Sequence, residues 1–377
     1  MDSFVRRSLK LTLAFAVASH SVVAVAQETP PPAAPEAAAT DAPAAPMAPA
    51  AEPVPAAEPA PAALEPAPPS TDVLAPEPAA AKPKPPPYSL PWQLRPVVAA
   101  SVVRSDTAWA FFKDAAGKES GASVASMLLF SYKVTDSLAP MVRLGVASMR
   151  PPRNYMVNMK DVDSATNFLN PVLGATYALK PAKPLRLAFF LGVTLPIGSG
   201  GGDDAELNSI QANSPFGIRT RSAMDNAMFS PNDFTILPGV DFAYVSNGFT
   251  VQVEATLLQL MRVKGGGGAA PKNPDSSKTN LTMGLHVGYF FIPQLSVGAE
   301  LRHQRFVSTP TAVKNDEASA APIGLRDQTT WAIGPRAHFK LGESVWFRPG
   351  IAFSMPIDDP MSKFEYKVVQ LDLPVAF

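Results

Sequence analysis

The chain contains no cysteine. That excludes disulfides, thiolate metal sites and cysteine nucleophiles. It also carries no net charge, with 32 Lys and Arg balanced by 32 Asp and Glu, so the basic footprint of a nucleic-acid binder is missing. No internal segment reaches the ~20 uninterrupted apolar residues that a membrane helix needs. Chemistry-bearing motifs are scarce as well. Asp203, Asp204 and Glu206 lack the Asp-x-Asp-x-Asp-Gly spacing of a calcium loop. The run Gly265 to Gly268 is not followed by the Lys-Ser/Thr of a phosphate loop. No nucleophile–base pair can be named among the histidines and their neighbours. These absences predict a protein that is not an enzyme and uses neither cofactor nor metal.

What the chain does have is proline, 42 residues of it, half of them packed in before residue 92. Composition therefore divides the sequence. Residues 1–26 have the form of a secretory signal: Arg6, Arg7 and Lys10, then an apolar core from Leu11 to Val17, then Ala24-Val25-Ala26 before Gln27. Residues 27–91 form a Pro/Ala-rich leader with Glu36, Glu52, Glu58, Glu65 and Glu77 spread along it. Repeated Ala-Pro and Glu-Pro steps disfavour helix and strand, so a disordered or polyproline-type segment is expected. It is either a leader with no specific partner or a spacer reaching toward peptidoglycan.

From residue 92 to 377 the dominant signal is a period of two. Mean hydropathy is only +0.06 because apolar and polar residues alternate. In the clearest stretch Phe249, Val251, Val253, Ala255 and Leu257 share one face, while Thr250, Gln252, Glu254 and Thr256 share the other. Residues 185–195, 279–291 and 294–306 alternate as cleanly, and weaker repeats near 92–104, 122–134, 138–149, 168–180, 234–245, 329–341, 344–356 and 366–377 bring the expectation to about twelve strands. Short turns alternate with long connections, the longest over residues 198–233. The aromatic residues Trp92, Tyr132, Tyr177, Tyr244, Phe249, Tyr289, Phe291, Phe339, Phe347 and Phe377 gather at the short-turn ends of the apolar face, as at a membrane interface. Pro171, Pro238 and Pro349 interrupt strand-like runs and predict bulges.

The final stretch places Val369, Leu371, Leu373, Val375 and Phe377 on one face of a strand, with Gln370 and Asp372 on the other. This ending resembles the C-terminal signal of Gram-negative outer-membrane β-barrel proteins. The resemblance, which covers residues 92–377, implies an all-β, transmembrane, antiparallel up-and-down barrel located in the outer membrane. It further implies reading of the last strand by the barrel-assembly machinery, contact with lipid and lipopolysaccharide, and a leader in the periplasm. The sequence does not resemble the outer-membrane phospholipase, whose His-x-Ser pair has no counterpart here.

The face opposite the apolar one is predicted to line the lumen. It brings inward Arg143, Arg186, Arg262, Arg302, Arg336 and Arg348, together with Arg95, Lys133, Lys180 and Lys340, against Asp241, Glu254, Glu300 and Asp372. Rings of Arg select anions, and twelve strands lie between a side-chain-filled barrel and an open one. Two functions follow as expectations. One is a narrow passive channel for small polar or anionic solutes, its selectivity set by those six arginines with Glu254 and Glu300. The alternative is a plugged structural or interaction barrel whose leader contacts the cell wall or a periplasmic partner. Residues 198–233 either fold inward as a constriction or cap the surface, and the pattern of the residues does not choose.

Overall fold

The computed structural model describes residues 88–265 and 275–377. The signal peptide expected over 1–26, and the leader up to residue 87, lie outside the described residues.

Twelve antiparallel strands form one closed wall. In chain order they are β1 (Val102–Lys113), β2 (Ser120–Ser131), β3 (Leu138–Arg150), β4 (Ala165–Phe168 and Val172–Leu179), β5 (Leu185–Thr194), β6 (Asp233–Ser246), β7 (Phe249–Arg262), β8 (Ser277–Ile292), β9 (Leu295–Phe306), β10 (Asp327–Ala337 and Phe339–Leu341), β11 (Val345–Phe347 and Gly350–Pro356) and β12 (Lys367–Ala376). Each strand pairs with its sequence neighbour, and β1 pairs with β12 from Val102↔Ala376 to Phe111↔Lys367. Closure leaves no edge strand, as a sheet in hydrocarbon requires.

Alternation fixes which side faces out. One row across the wall reads Phe242, Val253, Leu285, Leu301 and Trp331, and the adjacent row reads Asp241, Glu254, Gly284, Arg302 and Thr330. Val253 is 46% exposed and Leu285 37%, whereas Glu254 is 7% exposed and Arg302 0%. The apolar row therefore looks outward and the charged row inward. An apolar band running right round a barrel has only lipid to cover it. Tyr132, Tyr177, Tyr244, Phe249, Tyr289, Phe291, Phe339 and Phe377 lie exposed near the short-turn rim, where interfacial aromatics belong.

Of the three expected bulges only that at Pro171 shifts the register, from Val146↔Phe168 to Arg143↔Val172; at Pro238 and Pro349 the pairing lapses but the register is kept. Pro171 lies between the two segments of β4, and Pro349 lies between those of β11. At Pro238 the β6–β7 ladder skips from Gly239↔Thr256 to Ile236↔Gln259. Proline has no N–H to give the ladder, so each break removes an obligation it could not meet.

One strand lies elsewhere than its pattern suggested. The first was expected over 92–104; it is Val102–Lys113, followed by a short connection, 114–119. Ser105 and Thr107 dilute its outward face and Ala108 and Ala110 its inward face, so the alternation is faint. Trp92 consequently is not an interfacial ring; it is 1% exposed, inside the barrel.

Among the described residues, short helical pieces occur in two of the long connections. The β5–β6 connection, residues 195–232, contains α1 (Leu207–Gln211), a kinked segment Ala212–Gly217 and α2 (Ile218–Thr220). The β9–β10 connection carries α3 (Thr311–Glu317).

Candidate functional site

The site is the lumen, and two segments of the chain enter it. Residues 88–101 enter from the short-turn rim, reach mid-height at Trp92 to Arg95, and return to start β1. The wall binds this insert mainly through its backbone. Trp92 N–H donates to Glu300 Oε1 at 2.5 Å, and Arg95 N–H donates to Glu254 Oε2 at 2.6 Å. Ser89 N–H donates to Thr250 Oγ1 at 3.0 Å. From the wall, Arg336 Nε donates to Leu90 O at 3.1 Å, Arg104 Nη2 to Pro91 O at 2.9 Å and also to Trp92 O, and Gln252 Nε2 to Arg95 O at 2.6 Å. An extended peptide cannot satisfy its own N–H and C=O groups, so a buried one needs donors and acceptors from its container. The lumen charges supply them.

Side chains of the insert are fixed too. The Arg95 guanidinium meets Glu254 at 3.0 Å and Asp241 at 3.4 Å, and lies over the Phe190 ring at 4.6 Å. Leu94 packs on Gly284, where an added Cβ would stand 2.6 Å from Leu94 Cδ1; Arg95 packs on Gly239 in the same manner at 2.6 Å. These inward glycines make room for a second layer inside the wall. Val97 sits among Ala178, Ala188, Ala243 and Val245.

The second insert is the β5–β6 connection, which folds inward from the long-loop rim. Its hold is largely apolar. Ala227, Met228 and Phe229 pack on Met127, Val172, Phe190, Leu237, Leu258 and Leu260. Ala212 and Phe216 pack on Ala108, Ala110, Phe112, Met149, Tyr366 and Val368, with Phe216 stacked on Phe112 at 4.8 Å. The break in β4 contributes a clamp: Asn170 donates its N–H to Met228 O at 2.9 Å and its Nδ2 to Ser230 O at 2.6 Å, and its Oδ1 accepts from Gly198 N–H at 3.0 Å.

Charged residues join the two inserts. Glu300 takes Arg302 at 2.6 Å, Arg302 reaches Gln370 at 3.2 Å, and Gln370 reaches Asp106 at 2.8 Å. Asp106 holds Arg221 of the loop at 2.7 Å, Arg221 holds Asp225 at 2.8 Å, and Asp225 holds Arg143 at 2.5 Å. A parallel branch ties Arg104 and Arg336 to Asp372 at 2.7 and 2.6 Å. Burial alone would raise the Asp225 carboxyl, but Arg143 and Arg221 outweigh it and hold it at about 2.

The expected lumen residues are thus placed as follows. Arg302 and Arg336 lie fully inside, each paired with a carboxylate, as are Arg143 and Arg262, the last 3.8 Å from Asp233. Glu254 and Glu300 cradle the first insert. Arg186 and Arg348 face inward near the short-turn rim, each with a buried Nε lacking a hydrogen-bond partner, and Arg348 lies over Trp346 at 5.3 Å. Lys133, Lys180 and Lys340 are exposed at short turns, Lys133 paired with Asp136 at 2.5 Å. Sequence reading missed Arg104, Asp106, Arg221 and Asp225. The first two belong to the faint strand β1, where the Arg-x-Asp spacing was the available signal. The other two lie on a loop whose inward fold no periodicity announces.

Among the described residues, cavities line up along the lumen, of about 160 Å³ beside the first insert, about 90 Å³ between the inserts and about 130 Å³ on the long-loop side.

No family model and no curated protein matches the chain. Among solved structures it is similar to an outer membrane channel from Pseudomonas putida F1, with 11% identity, 76% of this chain and 98% of that chain covered, and a TM-score of 0.47. It is also similar to the NanC porin (8% identity, 72% and 98% covered, TM-score 0.41) and to the KdgM porin in complex with disordered oligogalacturonate (7% identity, 73% and 99% covered, TM-score 0.39). Nothing about solute or site is carried over at these distances. The closed antiparallel wall, apolar outside and charged within, is by its own geometry that of an outer-membrane β-barrel.

Proposed function

We propose that the protein is an outer-membrane channel for small solutes, closed in this conformation by the two inserts, with the short-turn rim facing the periplasm. The observation that carries this reading is the docking of residues 88–96. The wall meets that segment with backbone hydrogen bonds and ion pairs that water can replace, and a charged, cavity-bearing bore remains around it. A barrel built only to be solid would fill its interior with side chains from its own strands. Because residue 88 continues into the leader, a partner acting on residues 27–87 from the periplasm, the cell wall included, acts directly on the insert. Arg186 and Arg348 supply cationic groups at the periplasmic mouth and favour small anions.

Planar-bilayer recording tests this. The full chain is expected to be silent or to open rarely, and a chain lacking residues 88–96 to give discrete steps with a reversal potential shifted toward anions. A correctly inserted deletion variant that stays silent would instead favour the second reading, a permanently plugged interaction barrel, for which the apolar packing of the β5–β6 connection speaks.

A further inference from the structure

On the long-loop side, four amides stand in a row around the cavity of about 130 Å³. They are Asn226 of the β5–β6 connection, Asn280 of β8, Gln304 of β9 and Gln328 of β10, at 4%, 0%, 0% and 7% exposure. Gln304 and Gln328 are opposite one another in the β9–β10 ladder. Asn226 Nδ2 donates to Asn280 Oδ1 at 3.4 Å. In the orientation that satisfies its neighbours, Gln304 Oε1 accepts from Asn280 Nδ2 at 2.5 Å and from the N–H groups of Arg305 and Phe306. That orientation sets Gln304 Nε2 3.5 Å from the Gln328 amide, so Gln328 accepts there with Oε1 and is left with an unpaired Nε2. Asn226 Oδ1 is buried and has no hydrogen-bond partner.

Buried amide groups without partners are costly and ask for one. The opposite wall of the same cavity is apolar, formed by Phe229, Leu260, Phe306 and Val313. The charges at its edge are engaged: Lys278 Nζ meets Asp233 at 2.7 Å, Asp275 takes the N–H and hydroxyl of Thr311, and Arg219 lies over the Phe364 ring at 5.2 Å. A ligand for this place therefore both donates and accepts hydrogen bonds, carries carbon against carbon on its other side, and needs no charge. An apolar cavity of about 150 Å³ admits benzene, so this one admits a molecule of comparable size.

We infer that this vestibule is a binding site for a short neutral polyol, Asn226 Oδ1 accepting from one of its hydroxyl groups and Gln328 Nε2 donating to another. Occupancy does not depend on conduction, so it can be measured in a barrel that never opens.

The test uses the full chain in detergent, free of glycerol, titrated with erythritol, with its acid erythronate and with benzene, and followed by saturation-transfer NMR and calorimetry. Erythritol is expected to saturate, while benzene and erythronate do not. Gln328→Leu should weaken erythritol binding at least tenfold, and Val313→Phe, which fills the cavity from α3, should abolish it. Circular dichroism and heat-modifiable gel mobility confirm that both variants fold. Failure of erythritol to saturate the wild type would mean that water alone fills the cavity. Unchanged affinity in Gln328→Leu would also overturn the inference, as would tighter binding of erythronate, which would point to Arg219, or of benzene, which would mark a dry apolar hole.

Discussion

Residues 88–96 and the β5–β6 connection occupy opposite halves of one lumen under different forces. In the short-turn half, Glu254, Glu300, Arg104 and Arg336 grip the backbone of the insert. In the long-loop half, Phe216, Met228 and Phe229 are buried among alanine, leucine, methionine and aromatic side chains. Backbone hydrogen bonds exchanged for water cost little net free energy, about 0.5–1.5 kcal/mol each. Buried apolar side chains have no such substitute. The first insert buries few large apolar side chains, Leu90, Trp92 and Leu94, besides its polar contacts, so the comparison separates a more readily withdrawn segment from one more firmly held.

The largest way to break that distinction is Glu300→Ala. It removes the acceptor of Trp92 N–H and strands Arg302, whose guanidinium is fully buried. Stranding one partner of a buried pair costs about 3–5 kcal/mol. Trp92 fluorescence is expected to shift to the red and bilayer openings to become frequent, while the β5–β6 connection stays protected from protease. Phe229→Ala should produce the complementary outcome. Its cost is about 3 kcal/mol, near the lower end for a buried phenylalanine because the loop end can settle. Protease should then cut within residues 195–232 while Trp92 remains shielded. If either variant releases both inserts together, the chain from Glu300 through Gln370 and Asp106 to Arg221 couples them, and the two halves form one gate.

Acid sharpens the same contrast. The Asp225 carboxyl is held at about 2 in the folded chain, against about 3.9 when unfolded. Its pairing with Arg143 and Arg221 is therefore worth its full amount above the unfolded value and is lost as pH falls through about 2. Protease protection of the connection is expected to be level from pH 7 to pH 4 and to fall only toward pH 2. Loss of protection near pH 5 would show that this ion pair does not hold the loop.

Much of the wall was legible beforehand, and the reasons are physical. A barrel strand must show lipid one face and the lumen the other, so Phe249–Arg262 and Ser277–Ile292 carry their orientation in every second residue. Where small residues blur both faces, as around Ala108 and Ala110, the strand was misplaced. The inserts follow a different logic. Residues 88–96 take their shape largely from partners far along the chain, such as Glu300, 208 positions from Trp92, and Arg336, 246 from Leu90, and leave no local period. Arg302 and Arg336, two of the arginines expected as selectivity groups, are buried inside the barrel. That they bind carboxylates and peptide carbonyls follows only from the presence of an insert.

The glycines of the inner face did carry a trace of that insert, and they give the smallest and most local test. Gly284 lies between Glu254 and Arg302 in the ladders, at mid-height, with Leu94 directly upon it. A Cβ there would meet three atoms of the Leu94 side chain at 2.6–2.8 Å. Those atoms belong to the end of a flexible side chain, so Gly284→Ala should displace Leu94 without disturbing the wall. Overpacking of this kind costs about 1–3 kcal/mol. Because the insert is the softer element, the cost falls on its docking: openings should become modestly more frequent, with unit conductance and heat stability unchanged. Gly284→Ala together with Leu94→Ala restores the space and should return the opening frequency toward that of the wild type. Were the single variant to lower barrel stability while leaving opening untouched, the insert would have to be counted as part of the wall itself, and the distinction between a withdrawable and a fixed segment would fail at its most exposed point.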